Sequence, residues 1–166
     1  MGKRTVVGVR VCFGHQSVGA DLLAALAEPG VPRAMCIAEW PEFPRLPGPD
    51  DHAILHRRIG RNGDPGSKVD DFVAWCEGGA ADWADVAFFK FCYVDVVRTT
   101  DVDHLLEQLQ RALTHLERRF PDTGFPVCTV PLTVNPRWID RLVVAVRHRS
   151  RHPGLLDNVQ RHGFNA

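Results

Sequence analysis

Along this chain, apolar runs closed by glycine or proline alternate with amphipathic stretches. Thr5–Phe13 reads TVVGVRVCF, β-branched and mostly apolar, and stops at Gly14. Such a run predicts a buried strand. A polar loop follows, Gly14–Gly19 (GHQSVG), and then Ala20–Ala27 (ADLLAALA), rich in strong helix formers. Glu28-Pro29-Gly30 stops that helix. Ala34–Ala38 predicts a short second strand, and the proline-rich stretch Trp40–Asp51 an irregular loop. His52–Arg58 predicts one or two helical turns, and Gly60–Gly66 (GRNGDPG) a glycine-rich loop. In Lys68–Cys76, the residues Val69, Phe72, Val73 and Cys76 recur at helical spacing.

Asp85–Val96 (DVAFFKFCYVDV) is the most strand-like run in the chain. Thr100 and Asp101 offer N-caps for a long helix over Val102–Phe120, with Leu105, Leu106, Leu109, Leu113 and Leu116 on one face. Phe125–Pro131 (FPVCTVP) predicts a fourth strand, Ile139–Val146 an amphipathic segment and Leu155–Phe164 a final helix. Strands alternating with helices predict one α/β domain over residues 1–166, with helices on both faces of a mainly parallel sheet of four to five strands. Right-handed crossovers then bring three loops to one sheet edge: Gly14–Gly19, the region reaching Gly60–Gly66, and Tyr93–Thr100. Ligands of such sheets bind at that edge.

Composition narrows the partners. Twenty basic and twenty acidic residues cancel, so no global field draws the chain to nucleic acid or an anionic membrane. Six arginines lie between Arg137 and His162 against two acids, Asp140 and Asp157, and read as a solvated surface before they read as a nucleic-acid patch. The five cysteines have no C-x-x-C spacing. They read as reduced side chains of a reducing compartment, the cytoplasm, and not as a disulfide framework or a zinc site. The short apolar stretch after Lys3 and Arg4 is interrupted by Arg10, which reads as neither a signal peptide nor a membrane span. No metal or cofactor is called for, and the expected partner is a small molecule.

Ser17 carries the candidate chemistry. It lies between a buried strand and a helix, where unpaired N–H groups and the helix dipole favour a developing negative charge. Two roles stay open for it, helix cap and nucleophile. His15, two positions away on a tight loop, is poorly placed as its base and fits a structural or substrate-contacting role. Asn62-Gly63 reads as a turn or as a substrate contact. Lys90, inside the apolar run Phe88–Phe91, must find a partner such as Asp95 or Asp85, or reach water.

Four blocks, Phe13–Gly19 (FGHQSVG), Gly60–Lys68 (GRNGDPGSK), Asp85–Val96 and Val130–Thr133 (VPLT), together resemble a bacterial group within the SGNH/GDSL hydrolase-like superfamily. The resemblance implies a flavodoxin-like α/β/α sandwich and hydrolysis of an ester or acetyl group through an acyl-serine. By the same resemblance Ser17 is the nucleophile and its own N–H an oxyanion donor. Gly60 or Gly63, with Asn62 beside them, matches the second block. Asp95 matches the final acid of the third block, near Tyr93, although the asparagine usual there is missing. Asn62 is its stand-in from the facing loop.

The family's closing Asp-x-x-His is not found; Asp157 and His162 are five apart. The chain thus reads as C-terminally incomplete, as drawing its base from elsewhere, or as non-catalytic. His104 is a weak alternative base. If catalysis is lost, the Gly14–Gly19 and Gly60–Gly66 loops form a nest for an anionic small molecule. Two structural expectations follow: Ser17 points into a cleft shared with Asn62 and Tyr93, and an uncovered Phe125–Val130 edge promotes self-association, with Arg147–Pro153 and the last residues mobile or packed out of register.

Overall fold

The computed structural model describes residues 8–27, 35–40, 47–48, 51–130 and 158–166. Their centre is a four-stranded, all-parallel sheet: β1 (Arg10–His15), β2 (Met35–Glu39), β3 (His52–Arg58) and β4 (Val86–Phe89), in the order β2-β3-β1-β4. The run β3-β1-β4 is the order of the first three strands of a flavodoxin-like sheet, and β2 is an added edge strand. The fold is therefore α/β, as the alternation of apolar and amphipathic stretches predicts.

β1 is buried in the middle because its pleat meets apolar partners on both sides. Cys12 is level with Leu55 and Ala87, and Phe13 with His56 and Phe88. On the Cys12 face lie α2 (Pro65–Trp75), a π-helical turn over Cys76–Ala80, the short α3 (Ala81–Trp83) and α4 (Val102–Arg119). They contribute Val69, Phe72, Trp75, Leu105, Leu109 and Leu116 to one core with Cys12, Ala53, Leu55 and Ala87. On the Phe13 face lies α1 (Ser17–Leu26), which buries Leu23. The helix starts follow local chemistry. Asp64 accepts from the Ser67 N–H (3.1 Å) with Pro65 at the first helical position, and Asp101 accepts from the His104 N–H (3.0 Å).

Three expectations are corrected. His52–Arg58 is a strand, not helical turns. It pairs with β1 and β2 at once, and with cover on both faces its apolar residues show no simple alternation. Asp85–Val96 is a strand only over Val86–Phe89. Asp95 turns the rest into a loop, its N–H donating to the Cys92 carbonyl (3.0 Å) and its Oδ2 accepting from the Cys92 N–H (2.6 Å). Within the described part of Phe125–Pro131 there is no strand. A parallel bridge pairs Val86 with Gly124, just before it.

A final helix is present where the sequence predicts one. α5 (Asn158–Asn165) lays Phe164 edge-on against Phe91 and buries Arg161, which donates to the carbonyls of Val96 (3.0 Å) and Tyr93 (2.6 Å). The Asn165 side chain donates to the Val130 carbonyl and accepts from its N–H (3.0 and 2.8 Å), as a neighbouring strand would. Val130 is thereby closed to strand pairing, and the final residues are anchored. Arg147–Pro153 and the amphipathic segment Ile139–Val146 lie outside the described residues. No described helix is long and apolar enough to cross a membrane.

At the amino end of the sheet, Arg10 clasps Asp85 through its guanidinium (2.8 and 3.2 Å) and its backbone N–H (2.8 Å). These bonds, the Arg10 side chain first, hold the Asp85 carboxyl below its usual value. A depressed native value stabilises the fold above the unfolded value, about 3.9, and that stabilisation is lost as pH falls through the native one. The melting temperature of Asp85→Asn should therefore fall less steeply than that of the wild type below about pH 4. Superimposable curves would show that the clasp contributes nothing.

Candidate functional site

β1 ends at His15 and the chain turns into α1 within one residue, Gln16, whose backbone is extended. Two glycines permit that turn. A Cβ on Gly14 would meet the Ile59 side chain at 2.7 Å, and one on Gly19 would lie 2.2 Å from the His15 Cβ. Gln16 holds the N-cap position, so Ser17 is the first residue of the helix and not its cap. The Gln16 amide does not cap the helix either; it donates to the carbonyls of Ile59 (2.7 Å) and Gly60 (2.8 Å). The Gly19 and Ala20 N–H groups bond to the Gln16 carbonyl. The N–H groups of Ser17 and Val18, the first two of the helix, are left without a helical acceptor, and the Ser17 side chain is exposed beside them.

Gln16 ties the first loop to the second, and the second is tied to the third by an ion pair. Lys68 and Asp95 meet at 2.5 Å with both side chains 0% exposed. Asp95 also accepts from the N–H groups of Gly63 (3.0 Å) and Cys92 (2.6 Å). Lys68 donates in addition to Asn62 Oδ1 (3.0 Å). The three loops thus form one hydrogen-bonded unit at the carboxyl edge of the sheet. Gly60, at φ 51°, donates its N–H to Asp71 (2.9 Å) and leaves no room beside the Lys68 backbone, where a Cβ would come within 2.6 Å.

The sequence-derived site residues divide by what their polar groups already do. Asp95 is wholly engaged inside the protein, so it supports the loops and has no oxygen to offer a substrate. The N–H groups of Gly60 and Gly63 are both held by carboxylates. Asn62 is exposed, and because its oxygen faces Lys68 its NH2 group is turned away from that lysine. Tyr93 is exposed, its ring beside the Arg161 guanidinium at 5.8 Å. Among the described residues no hydrogen bond joins Ser17 to Asn62 or Tyr93. His104 is exposed on α4 and His162 on α5. Lys90 pairs with neither Asp85 nor Asp95, which are held by Arg10 and Lys68; its Nζ donates to the Phe91 carbonyl at 3.3 Å.

His15 is buried and both ring nitrogens are engaged. Nδ1 lies 2.8 Å from the Gln16 carbonyl, which can only accept, so Nδ1 carries the hydrogen. Nε2 lies 3.0 Å from Nδ1 of His56. His56, Lys68 and Gln16 are the residues that sequence reasoning passed over. One signal pointed to Lys68: a lysine in the first turn of a helix opposes the helix dipole and calls for a partner. His56 gave none, because its stretch read as helical turns.

Beneath α1, on the Phe13 face, an apolar cavity of about 430 Å³ is lined by Phe13, Leu23, Ile54 and Phe88, with Lys90 at its wall. Burial pushes the Cys12 and Cys76 thiols up to about 12, so neither of these two is a competing nucleophile. Among the described residues no cluster of His, Cys, Asp and Glu is arranged to hold a metal ion.

Removing one partner of a buried ion pair leaves the other charge uncompensated, at a cost of about 3–5 kcal/mol. Lys68→Met should lose that much in urea unfolding, and Lys68→Met/Asp95→Leu should recover part of it. A single variant as stable as the wild type would show that the pair does not hold the loops. No protein-family model matches this chain, and neither the curated proteins nor the solved structures contain a match to it.

Proposed function

We propose that the protein is a serine hydrolase of SGNH/GDSL type, acting on a small ester or acetylated substrate through an acyl-serine at Ser17. The observation that carries this reading is the exposed Ser17 hydroxyl at the start of α1, beside two N–H groups with no helical acceptor, at the carboxyl end of the inner strand β1. A carbonyl attacked by Ser17 Oγ develops negative charge on its oxygen. Open N–H groups at a helix start stabilise that charge. Asn62, steadied by Lys68, presents further donors from the second loop.

A second reading has the same N–H groups bind an anionic small molecule without turning it over. The two readings part on Ser17. Wild type should hydrolyse short p-nitrophenyl esters and be labelled by a fluorophosphonate at Ser17 alone. Ser17→Ala should lose turnover by at least about a thousandfold while keeping its melting temperature. Undiminished turnover in the alanine variant would remove the hydrolase reading. No turnover by wild type, with phosphate or a carboxylate bound in calorimetry, would favour the binding module.

A further inference from the structure

The sheet face that carries α1 is covered unevenly. α1 buries Leu23, but Leu22 and Leu26, four residues apart on one side of the helix, are 51% and 40% exposed. These two leucines and the strand residues Val11, Phe13, Ile54 and Phe88 line the apolar cavity of about 430 Å³, a volume in the range of small-molecule sites. Open apolar surface with a polar group at its margin is characteristic of a ligand groove.

Lys90 supplies that polar group. Its backbone N–H donates to the Gly14 carbonyl (3.2 Å) and carries the pairing of β1 with β4 one residue further. Strand alternation then puts its side chain on the face of Phe88, which is the cavity face. Among the described residues that line the cavity, Lys90 is the one with a charge. Its Nζ donates to the Phe91 carbonyl at 3.3 Å, a long bond that uses one of three donors. No carboxylate of the described residues pairs with it, because Asp85 is taken by Arg10 and Asp95 by Lys68. Cys128, on the same cavity wall, registers the ammonium: burial raises its thiol, and the charge of Lys90 opposes the rise. An ammonium partly withdrawn from water beside an apolar hollow gains most from an anion whose own body fills the hollow.

We propose that this cavity binds a medium-chain fatty acid, with its carboxylate on Lys90 and its hydrocarbon chain between α1 and the sheet. One ammonium matches one carboxylate. A dicarboxylate or a phosphate ester would bring further negative charge that no described lining residue offsets, and a cationic amphiphile would set like charge against Lys90. The strand residues offer the ligand side-chain carbon, since their backbone groups are engaged in the ladders of the sheet. Chain length and head-group charge therefore govern recognition. Ser17 does not line the cavity, and the inference is independent of the hydrolase reading.

The test titrates the protein with decanoate, decanol and decyltrimethylammonium by calorimetry. In parallel it follows the rate at which iodoacetamide alkylates Cys128, read by peptide mass spectrometry. Decanoate should bind at least about tenfold tighter than decanol, as a charge-assisted hydrogen bond implies, and should slow alkylation of Cys128. Decyltrimethylammonium should bind more weakly than decanol. From hexanoate to decanoate each added methylene should tighten binding about threefold to fourfold. Lys90→Met should bring decanoate and decanol to about equal affinity while decanol binding and the melting temperature are kept. Leu22→Glu, at an exposed position, should fold and lose decanoate binding. Decanoate that binds no better than decanol, or as well to Lys90→Met as to wild type, overturns the carboxylate assignment. Undiminished binding in Leu22→Glu overturns the cavity as its place. No calorimetric binding and no protection of Cys128 overturns the whole proposal; a Cys128 already unreactive without ligand would then show that the chain itself fills the cavity.

Discussion

Lys68 and Asp95 are shut away from water, and the second and third loops of the site are joined through them. A lysine ammonium and a carboxylate are costly to desolvate unless each finds further partners. Here the carboxylate takes two backbone N–H groups besides the ammonium, and the ammonium takes Asn62. The pair fixes where the second loop stands, which way the Asn62 amide faces, and where the chain leaves β4. Exchanging it for apolar residues would preserve packing and lose the aim of Asn62.

The first loop is governed by close packing. Its glycines leave no space for side chains, so β1 runs almost directly into α1, and Gln16 gives its amide to the neighbouring loop instead of the helix it precedes. A helix start that is left uncapped in this way keeps N–H groups available to an anion or a developing oxyanion. That is a cost in helix stability of the kind commonly found at working sites. It recurs at the same sheet edge as the buried ion pair and the paired histidines.

The C-terminal residues show how a short helix holds down the chain that leaves the sheet. Asn165 copies the hydrogen bonding of a strand neighbour at Val130, and Arg161 closes the turn carbonyls at Tyr93 and Val96. An asparagine side chain carries one donor and one acceptor group in the amide arrangement of a backbone, and so can substitute for it locally.

The sequence by itself determined the α/β class, the passage from a first strand to a helix around Ser17, the helix start at Asp101, and the reading of α2 and α4 from their apolar spacing. These are local properties, written in periodicity and in short-range hydrogen bonding. Tertiary structure decided the rest. His52–Arg58 became a strand because β1 and β2 offered it partners on both sides. The run after Phe89 left the sheet because Asp95 found Lys68, twenty-seven positions away. His15 could be judged unsuited as a base from its position, but its partnership with His56 needed β1 and β3 side by side. A buried charge pair or a shared imidazole proton depends on which strands become neighbours, and no local pattern carries that information.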